Sequence, residues 1–396
     1  MSSERRRAWA YLSRVVEGPS ASLQRLLGAG RDVEEIAGGI RRREPWLGEL
    51  LGATESRHSL DTADLDLATA AGIGARLITA EDEEWPHEEL DQAFGFASSG
   101  HSEHLRSYQS DAVPPHVLWV RGGNLRAASA RAVTIVGTRA VSRYGAEVTS
   151  MLTEDLVAHQ WAVVSGGALG VDTIAHTGAL RAGGCTVAVA ACGLDRSYPA
   201  RNGRLFEQVV ESGSGVLVSE YPPGVPPQRH RFLTRNRLVA ALTGGTVVVE
   251  AAWRSGALNT LSWASGLGKV AMAVPGPITT AGSRGCHERI RNGEAELIAG
   301  GADVRALLEA LGEVDAQGQL EMEFAASPVQ SLSRNELRVF DALSTRPREA
   351  GEVAAESGLS LPLVIHLLVE LDSRRLIRRV GTKWERIFNP GMVAEE

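Results

Sequence analysis

The chain has 396 residues, 43% of them apolar and 22% charged, with a net charge of -7. That balance excludes a disordered chain and leaves room for two or three folded domains. No apolar run reaches the roughly 18–20 residues of a membrane span, the start "MSSERRRAWAYL" lacks an apolar signal core, and Cys185, Cys192 and Cys286 are too few and too scattered for a disulfide framework or a four-cysteine zinc site. The cytoplasm is the expected compartment.

Residues 1–70 read as a small helical module. The pieces "RRAWAYLSRVV", "ASLQRLLGAG" and "VEEIAGGIRRR" are amphipathic and end at glycine or polar residues. A strand is expected at 75–82, "ARLITAED", then an irregular stretch over 83–115, then a strand at 116–122, "HVLWVRG". From 131 onward, apolar β-branched runs alternate with helical patterns of about ten to twenty residues. The runs are 132–137, 161–166, 186–192, 215–220, 245–251 and 270–276. Continuous apolar strands with helical crossovers predict a doubly wound, Rossmann-like parallel sheet, covered on both faces and extending over 71–300. Ligands bind such sheets beyond the carboxyl ends of the strands.

Those strand ends carry the informative residues. The first is followed by "GTRAVSRYG", in which the backbone N–H groups, Thr138 and Arg139 suit a phosphate. Neither GxGxxG nor GxxxxGK[ST] occurs, which argues against dinucleotide and P-loop sites. The second is followed by "SGGALGVDTIAH", whose glycines permit close backbone approach to a ligand. Asp172 is read there as a helix-start carboxylate and His176 as structural. The third opens the turn-rich loop "GLDRSYPARNGRL".

The fourth strand is followed by "SEYPPGVPPQRHRFLTRNR", which ends with four arginines in nine residues. Its prolines predict a stiff, non-helical arm bearing Arg229 and Arg231, with Thr234 capping a helix that begins "RNRLVAALT". Cations at a helix N-terminus oppose its dipole, so this placement calls for an anion. Phe232, set between the two arginine pairs, adds a ring for base stacking. Ser255 and Gly256 follow the fifth strand, and a glycine-rich loop follows the sixth. Cys286-His287 shows no geometry of a nucleophile and its base.

Charge is uneven: 130–300 carries 16 basic against 12 acidic residues, while 301–396 carries 11 against 16. Residues 301–330 read as a helix end and a linker. Residues 331–390 read as three helices followed by two strands, a winged-helix-like pattern. Its acidity argues for partner binding or weak DNA binding, the run "RRLIRRVGTK" at 374–383 excepted.

In order, "IVGTRAVSRYG", "VVSGGALGVDTIAHTGAL", "GLDRSYPARN", "LVSEYPPGVPPQRHRFLTRNRLVAAL", "VVVEAAWRSGAL", "AVPG" and "SRGC" resemble the DNA-processing protein A family, DprA or Smf, over roughly 115–300. The resemblance implies a non-enzymatic protein without cofactor or metal. It implies binding of single-stranded DNA, delivery to the RecA recombinase during natural transformation and recombination, and a homodimer. It places Gly137, Thr138 and Arg139 on a phosphate, Arg229 on the backbone and Phe232 on a base. Arg235, Asn236, Ser255 and Gly256 would line the pocket, and Ser165, Gly166, Gly170 and Asp172 would shape its floor. The helical N-terminal module, of the SAM-like kind, and the winged-helix-like module fit the same family.

The chain departs from the family at Leu169, commonly basic, at Leu233, commonly proline, and in the longer stretch 92–115. A competing expectation is a nucleotide-processing enzyme. There "TGGTVVVEA" at 243–251 faintly resembles the phosphoribohydrolase loop and Glu250 would be catalytic, though the spacing differs.

Overall fold

The structure is a computed structural model and describes residues 1–100, 109–309 and 332–387. The chain forms two compact units, Met1–Ala310 and Leu311–Glu396.

The first unit opens with helices α1 (Ser3–Val15), α2 (Ala21–Gly28), α3 (Val33–Arg42), α4 (Glu49–Ala53) and α5 (Ala63–Gly72). Side chains of Ser2, Ser20 and Asp32 cap the first three by accepting from the amides of Arg5, Leu23 and Glu34. Strand β1 (Ala75–Ile78), helix α6 (His87–Ser98), strand β2 (Leu118–Gly122) and helix α7 (Leu125–Ser129) follow. Helix α6 corrects the irregular reading of 83–115. Leu90, Ala93 and Phe94 form its buried side, at helical spacing, and the pair of glycine-flanking phenylalanines hides that pattern in the sequence. Residues 101–108 lie outside the described residues.

The alternating region holds β3 (Ala132–Val136), α8 (Arg143–Ala158), β4 (Ala162–Ser165), α9 (Val171–Arg181), β5 (Thr186–Ala190), α10 (Gly203–Glu211), β6 (Val216–Ser219), α11 (Arg229–Ala241), β7 (Gly245–Val248), α12 (Gly256–Gly266) and β8 (Val270–Ala273). Helix α13 (Arg284–Arg291), β9 (Glu296–Leu297) and α14 (Gly301–Leu308) complete the unit. Each of the six predicted parallel strands is present.

The nine strands form one sheet in the order β1-β2-β6-β5-β4-β3-β7-β8-β9. From β6 to β9 every pairing is parallel. Strands β1 and β2 add an antiparallel edge, with Trp119 opposite Ser219 and Leu77 opposite Trp119. Alternation along the strands sorts the core into two faces. Val136, Val164, Val189, Val218 and Val248 pack with α11 and α12 on one face. Val133, Ile135, Val163, Val247 and Met272 pack with α8, α9 and α14 on the other.

The N-terminal helices share a core with this sheet. Trp9, Leu12 and Ile36 cluster with Trp119, Ala188 and Leu217, and the Trp119 indole donates to Ser13 Oγ at 3.0 Å. The helix end expected at the start of 301–330 is helix α14, which packs on the sheet. Its Arg305 pairs with Asp155 of α8, and Leu308 lies beside Gly245.

The second unit has helices at Arg334–Asp341, Ala350–Ser357 and Leu361–Ser373, and a small antiparallel sheet of Arg348–Glu349, Lys383–Arg386 and Ile377–Val380 in that spatial order. Ser333 and Glu336 form a capping box at the first helix. Val339, Val353, Val364, Leu368 and Trp384 make its core. Among the described residues, no single helix is long and apolar enough to cross a membrane.

Candidate nucleic-acid interface

The chain runs β3, β4, β5, β6 outward in one direction, then returns to place β7 on the other side of β3. A crevice therefore opens where the order reverses, between the loops that follow β3 and β7. A backbone bond fastens those loops together, Thr138 N donating to Glu250 O at 2.7 Å, and Val171 N at the start of α9 donates to Thr138 O at 3.2 Å. Gly137 and Gly170 make this closeness possible. A Cβ on Gly137 would fall 2.6 Å from a Val171 methyl, and one on Gly170 (φ +85°) would fall 2.3 Å from Thr138 O. These glycines thus serve the contact of one loop with another. At the rim, Gly137 and Thr138 are half-buried and Arg139 is exposed. Across the crevice, Ser255 caps α12 by accepting from Ala257 N at 3.3 Å, and Gly256 is exposed in its first turn. The Thr138 hydroxyl, the exposed Arg139 guanidinium and the N-terminal turn of α12 lie along these loops, a combination of groups suited to a phosphate.

Glu250 is buried at the back of this crevice. Its carboxylate accepts from Ser142 N at 3.0 Å and from Ser142 Oγ at 2.7 Å, while Ser142 Oγ accepts from Gly145 N at 3.0 Å. Both carboxylate oxygens are thus committed to the start of α8. That is a structural task, distinct from the catalytic one expected in a phosphoribohydrolase.

The segment 229–237 differs from expectation. Helix α11 begins at Arg229, so there is no non-helical arm beyond Gln228, and Thr234 lies inside the helix instead of capping it. The prolines end at Pro227. Leu233 keeps its N–H where a proline would lack one, so the helix runs back without interruption. Thr234 Oγ1 instead donates to Asp111 Oδ2 at 3.0 Å.

Three of the four arginines are buried. Arg231 donates to Glu17 Oε1 at 2.6 Å and to the carbonyl of Pro226. Glu17 also meets His230 at 3.7 Å and pairs with Arg57. Burial pushes the Glu17 carboxyl up, but Arg231, Arg57 and His230 outweigh it and hold the group below its ordinary range. The anion that this helix start requires therefore comes from the N-terminal helices. Arg237 pairs with Glu220 in the interior, and burial raises the Glu220 carboxyl. Arg229 is exposed.

Arg235 lies beneath the crevice. It donates to Gly166 O at 2.7 Å and to the Val189 carbonyl. Burial lowers its pKa, and the nearby Asp172 charge opposes that shift. Asp172 is raised by burial, against the pull of Arg235. The carboxylate of Asp172 accepts from Gly166 N and Ala168 N, both at 3.2 Å. A Cβ on Gly166 would meet the Arg235 guanidinium at 2.7 Å. Ser165 Oγ donates to Ile135 O at 2.7 Å, and Asn236 donates to Asn259 Oδ1 at 3.0 Å. Gly166, Asp172 and Arg235 thus form a bonded cluster, with buried Ser165 and Asn236 held by other partners and Gly170 half-buried.

Phe232 is half-buried and its ring lies 5.2 Å from that of Tyr198, tilted by 46°. Tyr198 is 46% exposed, in the loop after β5. Sequence reasoning passed over Tyr198. An aromatic among turn formers at a strand end was the available signal. Glu17 and Asp111 left no such signal, because their partners in α11, Arg231 and Thr234, lie more than a hundred residues away.

The fold and its crevice define a Rossmann-type α/β protein. A family model described as DNA recombination-mediator protein A matches residues 76–309, and the chain belongs to that family. It is 42% identical over 389 residues to a putative DNA processing protein DprA of Mycobacterium tuberculosis, covering 97% of this chain and 95% of that one. It is 40% identical over 193 residues to the DNA processing protein DprA of Streptococcus pneumoniae, covering 49% and 67% respectively. The X-ray structure of DprA from Streptococcus pneumoniae superposes with a TM-score of 0.60 at 29% identity, covering 78% of this chain and 99% of that chain.

Proposed function

We propose that the chain binds single-stranded DNA across the carboxyl ends of its parallel strands. Gly137, Thr138 and Arg139 take one phosphate, with Ser255 and Gly256 on the opposite wall. Arg229 meets the backbone further along. Phe232, backed by Tyr198, stacks a base. Ser165, Gly166, Gly170, Asp172, Arg235 and Asn236 shape the floor. The observation that carries this reading is the accessible Phe232–Tyr198 pair beside a phosphate-suited crevice. A stacking ring selects unpaired bases, which a duplex does not offer.

In this reading the protein is a cytoplasmic homodimer that protects incoming single strands and passes them to RecA in natural transformation and recombination. Membership of a recombination-mediator family supports that role. The N-terminal helices serve as a SAM-like module, and the second unit as a winged-helix-like module of partner-binding type.

Fluorescence anisotropy with a labelled oligonucleotide tests the site. Phe232→Ala weakens binding by about 1–3 kcal/mol, as loss of a stacked base does. Arg139→Ala weakens binding and lowers the salt slope by about 0.7, the share of one phosphate on a single strand. Wild-type affinity in both variants overturns the assignment.

A further inference from the structure

Of the eight tryptophans in the chain, seven are buried or half-buried, whereas Trp253 is 60% exposed. An indole left in water on a folded surface calls for a contact that the isolated chain does not supply. Trp253 lies in the loop after β7. Ser255 N donates to Ala252 O at 3.0 Å, closing a turn whose tip is Trp253-Arg254. Arg254 is exposed as well. The next residue is Ser255, the cap of α12 and one wall of the crevice. Glu250, three residues earlier, is tied to Thr138 of the phosphate-suited loop.

Along the sheet, Tyr198 follows β5 and Trp253 follows β7, with the β4 and β3 loops between them. Three strand spacings separate the two, about 14 Å at ~4.8 Å per strand. Stacked nucleotides advance ~3.4 Å each, so this interval matches roughly four of them. The crevice with Arg139 lies within that interval. An aromatic on each side of a phosphate-binding stretch is the layout of a track for a single strand, not of a pocket for one nucleotide.

We propose that Trp253 is a second base-stacking platform, with Arg254 on the adjoining phosphate, so that a bound strand runs from Phe232–Tyr198 over the β3 loop to the tip of the β7 loop. This inference rests on the single-strand reading above and adds to it a second contact and a length requirement. Strands of three or four nucleotides reach one platform, and longer ones reach both.

The test uses the full chain and oligo(dT) of 4 to 20 nucleotides, measured by anisotropy and by tryptophan emission. Trp253→Ala weakens binding of the longer strands about tenfold and leaves the shortest unchanged, while Trp253→Phe keeps most of the affinity. Binding of a long strand quenches wild-type emission, and the quench is largely lost in Trp253→Phe. Phe232→Ala weakens binding at every length. Unchanged affinity of Trp253→Ala at all lengths, with Phe232→Ala still weakened, overturns the second platform and leaves the first site standing. Absence of oligonucleotide binding by the wild type overturns both. Residue 253 is exposed, so its replacement leaves the fold intact, and an unchanged thermal unfolding curve checks this.

Discussion

Glu17 is the residue that reconciles a cationic helix start with the helix dipole. Its carboxyl is held below the ordinary 4.5 against the push of burial, by Arg231, Arg57 and His230. A depressed folded value means that the stabilisation is present above the unfolded value and is lost as pH falls through the folded one. Glu17→Gln should therefore cost about 1–3 kcal/mol in urea unfolding at pH 7. The difference from wild type should shrink steadily below about pH 4.5. A pH-independent difference contradicts the ion-pair account. Arg235 makes a different kind of contribution, since it satisfies two carbonyls in the interior. Arg235→Met leaves both without their partner and should cost at least about 2 kcal/mol in the same assay. Neither role shows in the string "RHRFLTRNR", where all four arginines look equivalent. Burial distinguishes them, and burial here depends on Glu17, Gly166, Val189 and Glu220, which are remote in sequence from one another.

At the scale of elements, the six parallel strands are legible because each is a short apolar run ending in glycine or a polar residue. The strand–helix turns are legible too, since Ser142 and Ser255 are ordinary N-caps. Helix α11 is not legible in the same way. It starts at Arg229, and Gln228 before it gives no side-chain cap, directly after a proline-rich segment, so local signals point to Thr234 instead. Tertiary contacts from Glu17 and Asp111 hold the first two turns in place. Leu233 is exposed, so its side chain contributes little, and its value is that it leaves the helix unbroken. Leu233→Pro should unwind the segment before it, release Arg231 from Glu17 and cost up to about 3 kcal/mol. Hydrogen exchange over 229–233 checks this, with faster exchange there and little change in β3 to β8. Helix α6 escaped notice for the opposite reason: its apolar side is short and is interrupted by Gly95.

For the whole molecule, the sheet order brings four separate loops to one edge, as the proposed path of a single DNA strand requires. The reversal between β3 and β7 opens the crevice, and the parallel direction brings every relevant loop to the same edge. The -7 net charge does not oppose this, because the exposed Arg139, Arg229 and Arg254 all follow parallel strands. Sequence order alone identified this edge as the place to look. It did not separate the exposed residues, such as Arg139 and Arg229, from the buried Asp172 and Arg235. The most direct measurement is the affinity of the full chain for single-stranded and duplex DNA of equal length across a salt series. The account predicts tighter binding of the single strand, a log–log salt slope of about -2 to -3 from a few phosphate contacts, and loss of the single-strand preference in Phe232→Ala. Equal affinity for both forms, or a preference for duplex that survives Phe232→Ala, would contradict it.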